Sequence, residues 1–320
     1  MPKIFIDHPI PDPAVPLLKE KGFEVSMGPV DCNFSRSELL GAVKGIDALL
    51  ALLTDKVDGE VMDAAGPSLK IIANYAVGVD NIDLAAARTR GITVTNTPGV
   101  LTQAVAEHAF ALLMAIARRI PEADRFTREG RFQGWRPMLL LGTEVHHKTI
   151  GILGLGRIGS ALAKKAARGF DMRVVYYDVK PNAEFEKEFN AAYKSLPQLL
   201  AEADFVSIHV PLLPATRHLI GEKELKMMKK TAYLINTSRG PVIDEAALTR
   251  ALKEGWIAGA ALDVFENEPS LAAGLAELAN AVLTPHTASA TLETRSAMAR
   301  IAAENIIAFF EGKTPPNVVS

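Results

Sequence analysis

The 320-residue chain has a single cysteine, Cys32, which excludes an intramolecular disulfide and a cysteine-based metal site. It also lacks a charge excess. The 35 basic and 37 acidic side chains leave a formal net charge of −2, so there is no electrostatic footprint for nucleic acid and no reason to expect binding to a membrane surface. Long apolar runs are missing too. The longest clean one, about Ala109 to Ala117, falls far short of the ~20 residues a membrane helix needs. The first residues, Met1-Pro2-Lys3-Ile4-Phe5-Ile6-Asp7, pass straight into a strand pattern without the apolar core of a signal peptide. There is no HExxH metal pattern, no G-x-S-x-G nucleophile elbow, no internal repeat and no low-complexity tract. These absences leave a cytoplasmic, reduced protein of about two domains as the expectation.

What is present is alternation. Short β-branched runs trade places with amphipathic segments almost from end to end, the pattern of α/β domains with parallel sheets. A first set of strands reads as 3–7, 23–26, 47–53, 70–75 and 92–95. One helix between them opens on a capping box, Ser35 with Glu38, and is expected to end at Gly45. A long helix over 102–119 is expected to stop at Pro121, followed by an Arg-studded helix and an irregular loop to Arg136. A second set of six strands reads as 149–153, 172–178, 205–210, 232–237, 257–264 and 281–284, with helices over 157–170, 196–203, 222–229 and 244–255. Six strands in βαβ order suit two mononucleotide-binding halves. A last helix covers 291–310. The expected fold is two doubly wound parallel-sheet domains with a cleft between them. Residues 1–99 and 288–320 would form one discontinuous domain, and 100–287 the other.

The strand at 149–153 runs into Gly154-Leu155-Gly156-Arg157-Ile158-Gly159, and a helix follows. In this GxGxxG turn the first glycine makes the bend, the second admits a pyrophosphate to the backbone, and the third lets helix and strand pack closely. The helix start offers unpaired N–H groups to the phosphates. Asp178 ends the next strand at the spacing of a carboxylate that accepts from ribose hydroxyls and repels a 2′-phosphate. NAD is therefore expected over NADP, with 100–287 as a Rossmann-type NAD-binding domain and 1–99 with 288–320 as a flavodoxin-like substrate domain.

In an open α/β sheet, ligands bind outside the carboxyl ends of the strands. Those ends carry His209-Val210-Pro211, then Asn236-Thr237-Ser238-Arg239, then Asp263 with Glu266 and Glu268 close behind, then His286. An Arg fork suits a carboxylate, a His moves a proton near neutrality, and a carboxylate on its far nitrogen fixes the tautomer. His146 and His147 read as surface residues, and His108, between Ala and Phe neighbours in a helix, as structural.

The stretches 74–81 (NYAVGVDN), 95–102 (TNTPGVLT), 154–159, 236–240, 262–266 (LDVFE) and 284–286 together resemble the D-isomer-specific 2-hydroxyacid dehydrogenases, in particular the glyoxylate/hydroxypyruvate reductase branch. The resemblance spans almost the whole chain. It implies a catalytic trio of Arg239, Glu268 and His286, with Arg239 and His286 also touching substrate. It implies that Leu53, Val77 and Gly78 help hold the substrate carboxylate, and that Trp135 and Met138 lie near the substrate. Cofactor contacts are implied for Thr102, Gly154 to Gly159, Asp178, His209, Val210, Pro211, Thr216, Thr237, Ser238, Asp263 and Ala288, and a homodimer contact for the helix starting near Thr102. Thr287-Ala288 departs from the Ile-Gly that often follows the family's catalytic His, which adds a methyl group near the nicotinamide. Relatives of this branch that favour NADP carry Ser-Arg-Thr-like residues where this chain has Asp178-Val179-Lys180. The expected reaction is NADH-dependent reduction of a small anionic 2-oxo acid, glyoxylate or hydroxypyruvate favoured. The alternatives are a sister dehydrogenase for a bulkier D-2-hydroxy acid, 3-phosphoglycerate, phosphite or formate, and a non-catalytic NAD-sensing protein of the corepressor kind.

Overall fold

A computed structural model describes residues 1–30 and 34–319. Cys32 lies outside them. The chain divides into two compact units, Met1–Leu101 with Ala290–Ser320, and Thr102–Ser289.

The first unit holds β1 (Lys3–Ile6), α1 (Ala14–Glu20), β2 (Glu24–Met27), α2 (Arg36–Ala42), β3 (Ala48–Ala51), α3 (Gly59–Ala65), β4 (Ile71–Asn74), α4 (Leu84–Thr89) and β5 (Thr93–Thr95). Its sheet is parallel throughout, in the order β2-β1-β3-β4-β5 of a flavodoxin-like domain. β3 and β4 are buried on both faces, as central strands of a parallel sheet must be. α2 carries the capping box at Ser35 and Glu38 but ends at Ala42, three residues before the expected stop; Gly45 instead takes φ +70° in the turn that follows. The closing helix, Leu292–Phe310, belongs to this unit and is tied to it by the Tyr75 hydroxyl, which donates to the Arg295 carbonyl at 2.5 Å.

The second unit holds α5 (Thr102–Ala117), α6 (Ile120–Arg128), β6 (Thr149–Leu153), α7 (Arg157–Phe170), β7 (Arg173–Tyr177), α8 (Ala183–Phe189), β8 (Ala192–Tyr193), α9 (Leu196–Glu202), β9 (Phe205–Ile208), α10 (Glu222–Met227), β10 (Tyr233–Asn236), α11 (Glu245–Glu254), β11 (Gly259–Leu262) and β12 (Ala281–Leu283). The order β12-β11-β10-β9-β6-β7-β8 is the Rossmann arrangement with one strand added at the β12 edge. α8 and the two-residue β8 escape the sequence reading because so short an edge strand has no periodicity to see. Pro121 does not stop α5. It sits in the first turn of α6, where its missing N–H costs nothing, and Arg119 in the left-handed region makes the corner.

Alternate residues of β6 face opposite cores. Ile150 and Ile152 pack with Leu113, Leu162 and Val174 on the α5–α7 side, while Leu153 packs with Leu199 and Val206 on the other. Among the described residues, no helix is long and apolar enough to cross a membrane.

Candidate active site

Register builds the site. Leu283 pairs with Leu262, Leu262 with Asn236, Asn236 with Ile208, Ile208 with Leu153, and Leu153 with Tyr177. These six residues form one row across the sheet. The residues just beyond them, Thr284, Asp263, Thr237, His209, Gly154 and Asp178, therefore leave the sheet along a single edge.

At the β6–α7 turn the three glycines do different work. Gly154 has φ +94°, and a Cβ there would lie 2.9 Å from the His209 carbonyl group and Val210 nitrogen. A Cβ on Gly159 would sit 2.1 Å from the Gly154 carbonyl oxygen, so the helix can approach the strand only without one. At Gly156 a Cβ would meet nothing within 4 Å. That open space lies at the N-cap of α7, where no side chain caps the first-turn N–H groups. Arg157 and Ile158 follow as the first helical residues. The turn is thus a cradle for a diphosphate.

Asp178 is oriented by N–H groups: Leu155 donates at 2.7 Å and Val179 at 2.6 Å, one to each carboxylate oxygen. Each oxygen keeps a lone pair for a ribose hydroxyl. Thr237 Oγ1, at the end of β10, is buried without a partner in the protein. A buried hydroxyl left so is costly unless a ligand meets it. Cradle, carboxylate and orphan hydroxyl fit a nicotinamide dinucleotide. His209 hydrogen-bonds Ser207 Oγ at 2.9 Å, and burial pushes its pKa down to about 4, so the ring is neutral at physiological pH. Thr216 ties the loop after β9, donating to the Pro211 carbonyl at 2.6 Å and accepting from Leu213 N–H. The Ser238 hydroxyl donates to the Val210 carbonyl, joining that loop to the one after β10.

Arg239, Glu268 and His286 all belong to the second unit. The Asn236 side chain folds the turn after β10, donating to the Arg239 carbonyl and accepting from Ser238 N–H, both at 3.0 Å. Gly240 then presses against the next loop; a Cβ there would lie 1.9 Å from the Phe265 carbonyl atoms. Phe265 N–H donates to Glu268 Oε1 at 3.0 Å, and Glu268 Oε2 lies 2.9 Å from His286 Nδ1. Burial raises the Glu268 carboxyl, but the His286 bond and charge, the Phe265 N–H and the Arg239 charge outweigh it and hold it below its ordinary range. Ionised Glu268 accepts from Nδ1–H, so Nε2 is the His286 nitrogen outside that bond.

Asp263 does not act as a free carboxylate. It is fully buried, with Oδ1 accepting from Thr284 Oγ1 at 2.6 Å and Thr287 N–H at 2.8 Å, and Oδ2 from Ala288 N–H at 2.8 Å. Burial disfavours its charge, yet these donors with His108 prevail and keep its pKa low. Glu266 likewise turns away from chemistry: it pairs with His218 at 2.6 Å and Arg217 at 3.3 Å. Buried Glu245, at the start of α11, accepts from Glu266 and Ala272 N–H groups at 2.6 and 2.7 Å and braces the loop that carries Glu268. Sequence reasoning missed Glu245, whose partners lie 21 and 27 residues away. His108, read from the sequence as structural, meets Thr284 across 176 residues, a separation that leaves no local signal. Trp135 and Met138 are 83% and 76% exposed in the loop after α6. In the first unit, Asn74 donates to the Gly78 carbonyl at 2.7 Å, Asn96 to the Val77 carbonyl at 2.8 Å and Asn81 to the Leu52 carbonyl at 2.9 Å. These bonds order the loops holding Val77, Gly78 and Leu53.

Residues 110–288 match the family model described as D-isomer specific 2-hydroxyacid dehydrogenase, NAD binding domain. A glyoxylate reductase of Korarchaeum cryptofilum is 53% identical over 100% of this chain and 96% of its own length, and one of Thermococcus litoralis 53% over 100% and 97%. A Thermus thermophilus protein of solved structure superposes with a TM-score of 0.93 at 44% identity, covering 99% of this chain and 100% of that one. An NADPH-dependent glyoxylate/hydroxypyruvate reductase of Sinorhizobium meliloti superposes with a TM-score of 0.86 at 33% identity, covering 100% and 98%. By motif, fold and end-to-end identity, the chain belongs to the D-isomer specific 2-hydroxyacid dehydrogenase family of NAD(P)-dependent enzymes.

Proposed function

We propose that the chain reduces glyoxylate, with hydroxypyruvate as second substrate, to the corresponding 2-hydroxy acid, and that it uses NADH. The observation that carries this reading is the 2.9 Å bond between His286 Nδ1 and Glu268, at the same sheet edge as the dinucleotide cradle and Arg239. The two relatives reported above at 53% identity are glyoxylate reductases, which supports the substrate. Asp178 supports NAD, since a 2′-phosphate would meet a fixed negative charge.

The nicotinamide, when bound, supplies the hydride. The chain's own residues do the rest. Arg239 takes the substrate carboxylate on its planar fork and draws electron density from the neighbouring carbonyl. His286 holds a proton at Nε2 and gives it to the carbonyl oxygen as that oxygen gains charge. Glu268 stabilises the protonated ring and holds its orientation. Buried Thr237, with Ser238, lines the cofactor side, and Ala288 N–H is fixed by Asp263. For Leu53, Val77 and Gly78 the proposal is carboxylate binding by N–H groups of the ordered loops in the first unit. A homodimer with its contact at the helix starting near Thr102 is part of the reading, and the exposed apolar side chains Phe132, Trp135 and Met138 in the loop after α6 are compatible with such cover.

Initial rates with glyoxylate, hydroxypyruvate, pyruvate and phenylpyruvate, each with NADH and with NADPH, test the proposal. Fastest turnover of glyoxylate with NADH is expected. Tight NADH binding with no turnover of any oxo acid would overturn it.

A further inference from the structure

Along α5 the inward side chains Val105, Ala109 and Leu112 are apolar and buried, and His108 interrupts them. Its Nε2 lies 3.2 Å from Thr284 Oγ1 and 3.3 Å from Asp263 Oδ1. The Thr284 hydroxyl is itself only 2.6 Å from that carboxylate oxygen. A hydroxyl has one proton, and here the carboxylate takes it. Thr284 Oγ1 can then only accept from His108, and Asp263 accepts by nature. Both neighbours of Nε2 are acceptors, so Nε2 carries a proton.

Asp263 spends its remaining capacity on one short turn. Its side chain holds the N–H groups of Thr287 and Ala288, each at 2.8 Å, and its carbonyl accepts from His286 N–H at 2.9 Å. His286 stands inside that turn with φ +53°, in the left-handed region that a non-glycine residue enters at a cost. Bonds on His286 itself and on the two residues after it hold it there. The charge that anchors two of those bonds is kept in part by His108.

We infer that His108 is a positioning residue for the reaction: its Nε2–H ties α5 to Asp263 and through Asp263 fixes the backbone that presents His286. This rests on the reading of His286 as the proton carrier. Nothing in the overall charge or burial of His108 requires this; the pairing with two acceptors does.

The test compares His108→Leu, which removes the donor at similar bulk, with His108→Gln, whose amide nitrogen reaches the Nε2 position. Thr284→Val removes the bridging hydroxyl independently. Glyoxylate kcat and KM and the melting temperature are measured for each. For His108→Leu, kcat is expected to fall about 10-fold to 100-fold, the loss of one hydrogen bond to a charged group, with KM for glyoxylate unchanged because Arg239 is untouched. His108→Gln should recover most of that rate, and Thr284→Val should lose part of it. Full kcat in His108→Leu overturns the inference. So does a loss in His108→Gln as deep as in His108→Leu, since bulk rather than the proton would then matter. A rise in KM without a fall in kcat overturns it too. His286→Asn separates the two readings. Wild-type turnover there sinks the proton-carrier assignment itself. An inactive His286→Asn beside a fully active His108→Leu sinks only the role of His108.

Discussion

Gly240→Ala adds one methyl group at a position that carries no chemistry, and the structure sets its consequence. The new Cβ would lie 1.9 Å from the Phe265 carbonyl carbon and oxygen and 2.4 Å from Glu266 nitrogen. All three are backbone atoms, so no rotamer change relieves the clash. To reach ordinary contact, one loop must retreat by more than about 1 Å. On one side of the contact is Arg239; on the other, Phe265 N–H holds Glu268, which holds His286. Whichever loop yields, the Arg fork and the imidazole lose their spacing. Misplacement of about 1 Å in such a constellation costs on the order of 100-fold in rate, while overpacking costs about 1–3 kcal/mol of stability. The expected variant is folded, somewhat less stable, and nearly inactive. Gly169→Ala is the control, because a Cβ there meets nothing within 4 Å on helix α7. It should keep full activity and gain up to about 1 kcal/mol. Steady-state rates with glyoxylate and NADH, beside calorimetric melting of both variants, make the comparison. A folded Gly240→Ala enzyme working at the wild-type rate would refute the argument that this contact sets the geometry of the trio.

Other perturbations follow from the same atoms. Arg239→Lys should lower kcat/KM for glyoxylate by at least about 100-fold, since a point charge cannot replace a two-pronged fork; comparable kcat/KM in the two enzymes would remove Arg239 from the site. Asp178→Ala should cut kcat/KM with NADH about 10-fold to 100-fold, by loss of charged hydrogen bonds to the ribose, and should leave NADPH turnover equal or better; an unchanged ratio of the two cofactors would falsify the role of Asp178. In the first unit, burial first and then neighbouring Asp55 push the Asp7 pKa up to about 8, against the Leu52 N–H that lowers it. Folded Asp7 therefore binds a proton that the unfolded chain releases between about pH 4 and about pH 8. Stability from this group is fully present below that window and is lost as pH rises through it. Melting temperatures of wild type should slope downward over the window, and those of Asp7→Asn should slope less; parallel curves would count against a protonated Asp7.

The parts legible in the sequence were local or periodic. GxGxxG between a strand and a helix, with Asp178 at the next strand end, needs only neighbours to be read. The strand ends carrying Arg239 and His286 were readable because a parallel sheet delivers all its carboxyl ends to one edge, and the register row from Leu283 to Tyr177 does so here. What stayed hidden depends on distant partners. Nothing near Glu245 announces that it will hold two N–H groups of a loop beyond β11. His108 meets Thr284 across 176 residues. Asp263, Glu266 and Glu268 look alike as acids after one strand, yet the fold gives one to a backbone turn, one to His218 and one to His286. Pro121 misled for a simpler reason: proline ends one helix and begins another with equal ease.

The helix that completes the first unit follows the whole of the second unit in the chain. During synthesis, residues 1–101 therefore emerge long before Leu292–Phe310, the segment whose backbone takes the Tyr75 hydroxyl and whose Asn305 takes the N–H of Asn317. At about 5–20 residues per second, the ribosome leaves β4 without this helix for tens of seconds, while α2 and α3 already pack on the sheet. The uninterrupted second unit, by contrast, can fold as soon as β12 is out. The nascent chain thus holds a finished dinucleotide cradle while β4 of its first-made sheet still waits for its last helix, and that interval is when β4 has most need of a chaperone.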